Sequence, residues 1–311
     1  MVWTVNGSDL TGGLRQSLLG IMTQINEVQT PLVSNLATSN AIQWTHSWPS
    51  DRIKKPATQN AVAAIRGALI TPDGTISGVF SQSTNYTQII SSPWAIDNTA
   101  INSNYAGVPD LIAYYKSKSL KYIANGLELS VATGTLAVAD ATYGNRMQGL
   151  TNWATAGVAY TSASATVAST AFAADGETKI LAVLQKLWDK GVVPDFAYMT
   201  SANKVLMDLM TTKVVRNIYM DPKEDDRVVI PGMIAVYESS LGTIRLMFSQ
   251  AAASATIVFG VFDELAIAYL NNSEPTVIPL GVQYDGYGFN TRMECTLEAR
   301  DPYSLGYLTV S

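Results

Sequence analysis

The stretch VPDLIAYYKSKSLKYIANGLELSVATG, residues 108–134, sets the architecture from which the rest of the chain is read. Val108, Leu111, Ile112, Tyr115, Ile123, Leu127 and Val131 fall on one stripe at helical spacing, so the segment predicts a long amphipathic helix with a single buried face. Pro109 suits a first turn, where its missing N–H leaves nothing unsatisfied, and Gly134 suits a terminus. Gly126 costs about 1 kcal/mol relative to Ala in a helix interior, so the sequence leaves open a kink or an end at that point.

Downstream, Thr155 to Ala174 is a Ser/Thr/Ala stretch read as a loop or weak hairpin. A second helix is predicted from about Lys179 to Lys190, with Ile180, Leu181, Leu184, Leu187 and Trp188 inward, Gly191 as its stop and Pro194 beyond. A short strand follows at Phe196 to Met199, then a Ser201 cap and a helix carrying Val205, Leu206, Leu209 and Met210. After the acidic loop Asp221 to Asp226 come strands at Val228 to Tyr237, Thr243 to Phe248, Thr256 to Phe262 and Leu265 to Leu270. No helix signal separates them, which predicts antiparallel pairing. The final strand alternates most cleanly: Met293, Cys295, Leu297 and Ala299 against Arg292, Glu294, Thr296, Glu298 and Arg300, with Cys295 acting as a small core hydrophobe.

Upstream, Leu14, Leu18, Ile21, Met22 and Ile25 recur at helical spacing after Gly12-Gly13 and before Thr30-Pro31, as an amphipathic arm would or as an ordinary packed helix would. From Ile42 to Trp48 large apolar and polar side chains alternate, which predicts a half-buried strand with His46 on the face of Ile42, Trp44 and Trp48 and no evident partner. Between Asp51 and Ile90 the chain turns basic at Arg52, Lys54 and Lys55, then Ala-rich, then crosses the turn-forming Thr71-Pro72-Asp73-Gly74. A stretch this long with so little core-forming material predicts a protruding element ordered by something outside the subunit.

The 311 residues suffice for one large or two modest domains. Hydrophobic residues make up 47% and charged residues only 14%, against about 25% charged in an average soluble domain. That shortage favours a subunit whose flanks are covered by neighbours, and a polar secreted β-protein would share it. A net charge of −5 with no long basic run excludes the concentrated footprint of a sequence-specific nucleic-acid binder. One cysteine, Cys295, and one histidine, His46, leave almost nothing for a thiolate or imidazole metal site and no intrachain disulfide. No stretch is long and apolar enough to predict a membrane span, and no secretory leader pattern opens the chain.

Chemistry finds little purchase. The Gly-rich phosphate loop, the Gly-x-Ser-x-Gly elbow and His-Glu-x-x-His are absent from the sequence. Asp263-Glu264 and the Asp221, Glu224, Asp225, Asp226 cluster are the only paired-carboxylate candidates, and they read more naturally as solvated loops or as partners for basic residues on a neighbour. Pro222 and Lys223 stand where an EF-hand would need ligands. No catalytic site, cofactor or metal is predicted.

Seven short segments in order carry a family likeness: Thr30-Pro31-Leu32, Gln43-Trp44 with Asp51 downstream, Asn85-Tyr86-Thr87-Gln88-Ile89, Arg146-Met147-Gln148-Gly149-Leu150, Pro194-Asp195-Phe196, Tyr237-Glu238-Ser239-Ser240-Leu241-Gly242, and Glu294-Cys295-Thr296-Leu297-Glu298 before Asp301-Pro302. With the order of elements, they resemble the major head proteins of tailed bacteriophages, of the Hong Kong 97-type fold. The resemblance implies an α+β subunit with an amino-terminal arm (1–39), an extended β-hairpin loop (40–104), a peripheral domain with a spine helix (105–152), an axial domain (153–271) and return strands to the peripheral domain (272–311). Asn125-Gly126 departs from the charged spine of the family. With no long helical segment ahead of the arm, a separate scaffolding protein or a removed leader is expected.

The function so implied is structural: many copies form hexamers and pentamers that close into an icosahedral head around double-stranded DNA, assembled in the host cytoplasm and carried in the virion. Its partners would be itself, a portal, scaffolding or decoration proteins, and DNA held weakly and without sequence preference; no membrane. Inter-subunit contacts are expected at Trp44, Trp48, Arg52, Lys54, Lys55, Asp221, Glu224, Asp225 and Asp226. An encapsulin-like nanocompartment shell shares the fold, and a secreted glycan binder using Trp44, Trp48 and Trp94 is the alternative from another class.

Overall fold

A computed structural model describes residues 29–51, 81–102, 110–139, 144–155, 163–210, 236–271, 273–283 and 285–311. In chain order these form α1 (Pro31–Asn35), β1 (Ala37–Ala41), β2 (Thr45–Ser50), β3 (Ser81–Tyr86), β4 (Gln88–Asp97), α2 (Asn98–Asn102), α3 (Leu111–Thr133), α4 (Leu150–Thr155) and β5 (Ala163–Val167). Then come α5 (Phe172–Asp189), β6 (Phe196–Met199), α6 (Ser201–Asp208), β7 (Val236–Ser239), β8 (Gly242–Phe248), β9 (Thr256–Gly260), β10 (Leu265–Leu270), β11 (Thr276–Gln283), β12 (Gly286–Ala299) and β13 (Gly306–Val310). The arm residues Leu14 to Ile25, Pro109, the Thr71–Gly74 turn, the basic segment at Arg52, Lys54 and Lys55, and the acidic loop Asp221 to Asp226 lie outside the described residues.

The predicted helix of residues 108–134 is α3, a single 23-residue helix that runs through Gly126 without a break. Its N-cap is Asp110, whose carboxylate accepts from Ala113 N at 3.0 Å. Ile123, Leu127 and Val131 are buried as the stripe requires, whereas Tyr115 stacks on Trp94 of β4 and still leaves part of its ring exposed. Gly126 faces Ile90 of β4, and a Cβ there would meet Ile90 Cγ2 at 3.4 Å, an ordinary contact.

α3 lies on a five-stranded sheet organised by β12. One edge of β12 pairs antiparallel with β4, from Gly286↔Asp97 to Cys295↔Gln88. Its other edge pairs with β11 over the first half and with β10 over the last, and β1 adds parallel to β10. Met293, Cys295, Leu297 and Ala299 are fully buried, as their alternation predicts. Thr296 and Glu298 on the opposite face are buried too, where a polar row predicts solvent, because the β2–β3 hairpin lies across that end of the strand.

A six-stranded sheet, β5-β13-β9-β6-β8-β7, forms the second unit. All four residues of β6 are buried, since Phe196 and Tyr198 enter the core shared with α3 and the first sheet while Ala197 and Met199 pack under α5. A strand apolar on both faces must be central, and this explains why the antiparallel expectation holds only for β7 with β8. β6 inserts between β8 and β9, parallel to one and antiparallel to the other, and β10 leaves for the first sheet.

Several local expectations are corrected. Within the stretch read as a loop or weak hairpin, Thr155 to Ala174, residues Ala163–Val167 form a strand, β5, parallel to β13, and α5 begins at Phe172, earlier than Lys179, with Phe172 buried as its first residue. Trp188 is exposed. The cap of α6 is Thr200, not Ser201, and the helix buries Asn203, Lys204 and Met207 while exposing Val205 and Leu209. Finally, the predicted strand from Ile42 is split: β1 ends at Ala41, residues 42–44 bend, and β2 starts at Thr45, leaving Ile42 76% and Trp44 54% exposed.

Candidate functional site

Three of the family-like segments, scattered over more than 200 positions, meet at the base of the β2–β3 hairpin. Asn85, fully buried on β3, donates from Nδ2 to Gln148 O (3.1 Å) and Leu297 O (2.8 Å), and its Oδ1 accepts from Gln148 N (2.8 Å) and Tyr86 N (2.9 Å). Those four bonds saturate the amide. Two residues on, Thr87 Oγ1 donates to Glu294 (2.9 Å), and Gln88 receives Met147 N (3.2 Å) while donating to Ser130 Oγ (3.1 Å). The segment 144–150 is thereby laid between β4 and the end of α3.

Glycine is required where that segment crosses the helix end. A Cβ on Gly149 would stand 2.5 Å from Gly134 N, and one on Gly134 would stand 2.4 Å from Ser130 O. Both obstructions are backbone and cannot yield. Gly149 N instead donates to Gly134 O at 2.8 Å, and Asn152 Nδ2 to the same oxygen at 2.6 Å, which satisfies carbonyls that a helix terminus leaves open.

Four residues along the same face of β12, a second set of bonds clamps β2. Glu298 accepts from Ser39 Oγ (2.8 Å), Arg300 Nε (3.1 Å) and His46 Nε2 (3.4 Å). Burial works to raise the Glu298 pKa, but the bonds from Ser39, Arg300 and His46, with the Arg300 charge, outweigh it and hold the carboxyl below its ordinary range. His46 thus has a partner after all, 252 positions away, a distance at which spacing says nothing. Ser39 donates to the carboxylate and not to the imidazole, so the group is a pin between β1, β2 and β12, not a nucleophile and its base.

A third anchor holds the amino-terminal segment. Glu128, fully buried in α3, accepts from Leu32 N (3.2 Å), Val33 N (2.9 Å) and Tyr198 Oη (2.9 Å). Burial pushes its carboxyl above the ordinary range against those three bonds. One side chain therefore joins α1, α3 and the second sheet. Sequence reading missed it, and the only signal was a charged residue amid the stripe beside Leu127.

Of the predicted contact residues, Trp44 and Trp48 alone fall among the described residues. Trp48 is 6% exposed, donates from Nε1 to Ala299 O at 2.8 Å and tilts against Trp153, so its ring is spent inside its own subunit. Trp44 stacks on Tyr86 with ring centroids 5.6 Å apart and presents its outer face to solvent near Ile42. Trp94 is sandwiched by Tyr115 and Phe289, which removes it from any glycan platform with Trp44. Beside the hairpin base, Thr87, Gln88, Ile89, Gly144, Asn145, Arg146 and Glu294 line a shallow cleft of about 280 Å³. Among the described residues no three His, Cys, Asp or Glu side chains gather to hold a metal, and no helix is long and apolar enough to cross a membrane. Cys295 is buried, and burial first, then the charge of Glu294, pushes its thiol up to about 12, far from any nucleophilic use.

The bonding is thus invested in holding a hairpin and an amino-terminal segment against a rigid two-sheet body, and apolar surface is left at the hairpin base. This is the build of a capsid subunit of the Hong Kong 97-type α+β fold, and solved structures carry the likeness over the whole chain. A gene-transfer-agent capsid (native GTA particle) aligns with a TM-score of 0.67 at 12% identity, covering 99% of this chain and 100% of that one. The cyanophage P-SCSP1u capsid gives 0.64 at 10% identity, covering 98% and 95%. The structure from Microbacterium phage Oxtober96 gives 0.63 at 13%, covering 99% of each. No curated protein matches in sequence. The family model of the SU10 major capsid protein matches residues 4–311, and the chain belongs to that family. It is a structural, non-enzymatic protein of the virion that associates with its own copies into a shell, and the reading as a secreted binding module is set aside.

Proposed function

We propose that this subunit forms hexamers and pentamers that close into an icosahedral head around double-stranded DNA. In this reading α3 is the spine helix and the sheet beneath it the peripheral domain. The six-stranded sheet with α5 and α6 is the axial domain, and the chain up to about residue 39 is the arm. The domain bounds read from sequence shift accordingly: β4 and β10 join the peripheral sheet and β13 the axial one. A shell gains from many modest interfaces that remain correctable during growth, and closed symmetry then ends the polymer. A portal, scaffolding or decoration proteins and weakly held DNA complete the partner set.

The observation that carries this reading is the hairpin stem. β2 and β3 pair from Thr45↔Tyr86 to Ser50↔Ser81 and are bonded to the body by Asn85, Trp48 and His46, and residues 52–80 connect them. Such a stem holds a loop out toward a neighbour. The pairing of Arg52, Lys54 and Lys55 with Asp221, Glu224, Asp225 and Asp226 of an adjacent copy belongs to the same proposal, as does a contact made by the exposed Trp44 at the loop base; Trp48, buried on Trp153, is left out of it. Pairs of this kind contribute about 0.2–1 kcal/mol each and set register more than strength.

The test is to replace residues 52–80 with a short Gly/Ser linker. The wider excision from Thr45 to Ile90 would remove β3 and the start of β4, which are structural. The shortened chain should stay soluble, unfold cooperatively and form no closed particles; shells of normal size would refute the loop assignment. The nucleic-acid content of intact particles, read from the absorbance ratio at 260 and 280 nm, separates a DNA head from a compartment holding protein cargo.

A further inference from the structure

The solvent side of α3 is cationic in a subunit whose net charge is −5. The helix holds Lys116, Lys118 and Lys121 and one carboxylate, Glu128, which is buried and bonded to Leu32 N, Val33 N and Tyr198 Oη. At about 100° per residue, Tyr115, Lys118, Lys121 and Tyr122 fall within one arc of about 120° directly opposite the buried Ile123, Leu127 and Val131. All four are exposed, Tyr122 by 66%, and Lys118 Nζ lies 5.9 Å over the Tyr115 ring. Lys116 stands on the other flank of the helix and is not part of this arc.

The chain around the arc brings it little negative charge. Residues 98–109 contain no charged side chain, and neither do α1 and α4, which pack on α3. The carboxylate of Asp110 accepts from Ala113 N as the cap of the helix. Glu294 and Glu298 stand on the opposite face of β12, where they accept from Thr87 and His46. A wall of net negative charge repels a packed polyanion unless a face poor in carboxylates is turned toward it. On this face Lys118 and Lys121 supply the charge, and the Tyr115 and Tyr122 hydroxyls supply donors of the kind that phosphate oxygens accept. We infer that this arc of α3 is the surface that meets the phosphate backbone of the double-stranded DNA inside the shell. This rests on the shell reading and assigns the α3 layer to the lumen. Two cations and two hydroxyls per copy make a contact that is weak and blind to sequence, and repetition over the shell multiplies it.

Reductive methylation of lysines, read by peptide mass spectrometry on filled particles and on the same particles emptied of nucleic acid, tests the assignment. Lys118 and Lys121 should react at least about fivefold more slowly in filled particles, while Lys116 changes by less than about twofold. Dissociated subunits titrated with a short random-sequence DNA duplex should bind weakly. K118Q and K121Q should each reduce the slope of log affinity against log salt by about 0.9, with K116Q leaving it unchanged and all three variants melting like the parent. Salt slopes unmoved by K118Q and K121Q, or equal reactivity of these lysines in filled and emptied particles, would overturn the assignment and leave the shell reading intact. Slow reaction in both kinds of particle would place a protein, not DNA, on that face. If the unaltered protein forms no particles, it is the shell reading that fails, and the duplex titration still decides whether the arc binds a polyanion.

Discussion

Replacing Asn85 by Ala removes a side chain that satisfies four bonds at a site with no access to water. At a net value of about 1 kcal/mol per bond the loss sums to roughly 4 kcal/mol, and the stranded carbonyls of Gln148 and Leu297 cannot turn to solvent to recover it. Equilibrium denaturation of dissociated subunits, held where they do not assemble, reads this directly. Thr84→Ala on the same strand is the control: its hydroxyl meets Ser47 Oγ at 3.1 Å on an exposed face and should matter by about 0.5 kcal/mol or less. Asn85→Asp is the sharper variant, since an ionised carboxylate would turn two acceptors on two carbonyls, so its deficit should grow as pH rises through the carboxylate range. A loss below about 1.5 kcal/mol for Asn85→Ala would show that the hairpin base is not welded as described.

Glu128 should make stability pH-dependent. Its folded pKa is raised, so its contribution is fully present below the unfolded carboxylate value near 4.5 and is lost as pH rises through the raised one. Glu128→Gln should flatten that limb of the stability curve, and an unchanged slope would contradict the burial argument. Gly149→Ala should prevent folding or cost several kcal/mol, while Gly144→Ala, with open space around its Cβ, should lie within about 0.5 kcal/mol of the parent by thermal melt. Cys295 should resist thiol reagents in the native subunit and react at once on unfolding; fast native labelling would place it outside the core.

Much of this protein was legible one segment at a time. The stripe from Ile123 to Val131 announced α3, and the alternation from Met293 to Ala299 announced the core strand. The Gly191 stop, the Phe196–Met199 strand and the order of elements that points to a capsid subunit also came from sequence. These are local matters, set by the period of apolar side chains along one element and by turn residues at its ends. Charge scarcity pointed to covered flanks, and the absence of chemical motifs pointed away from catalysis.

Only the tertiary structure decided which strands neighbour which. Whether Thr296 and Glu298 face solvent depends on a hairpin lying across them, and whether β6 separates β8 from β9 depends on both its faces being apolar in a body with two cores. It likewise found the partner of His46 in Glu298, the three donors that hold Glu128, and the saturated amide of Asn85. It showed Trp48 to be core and Trp44 to be surface, though both stood on one predicted strand. Each of these joins residues far apart in the chain, where separation carries no information. A buried polar group must find its partners wherever the fold brings them, and local periodicity cannot say where that is.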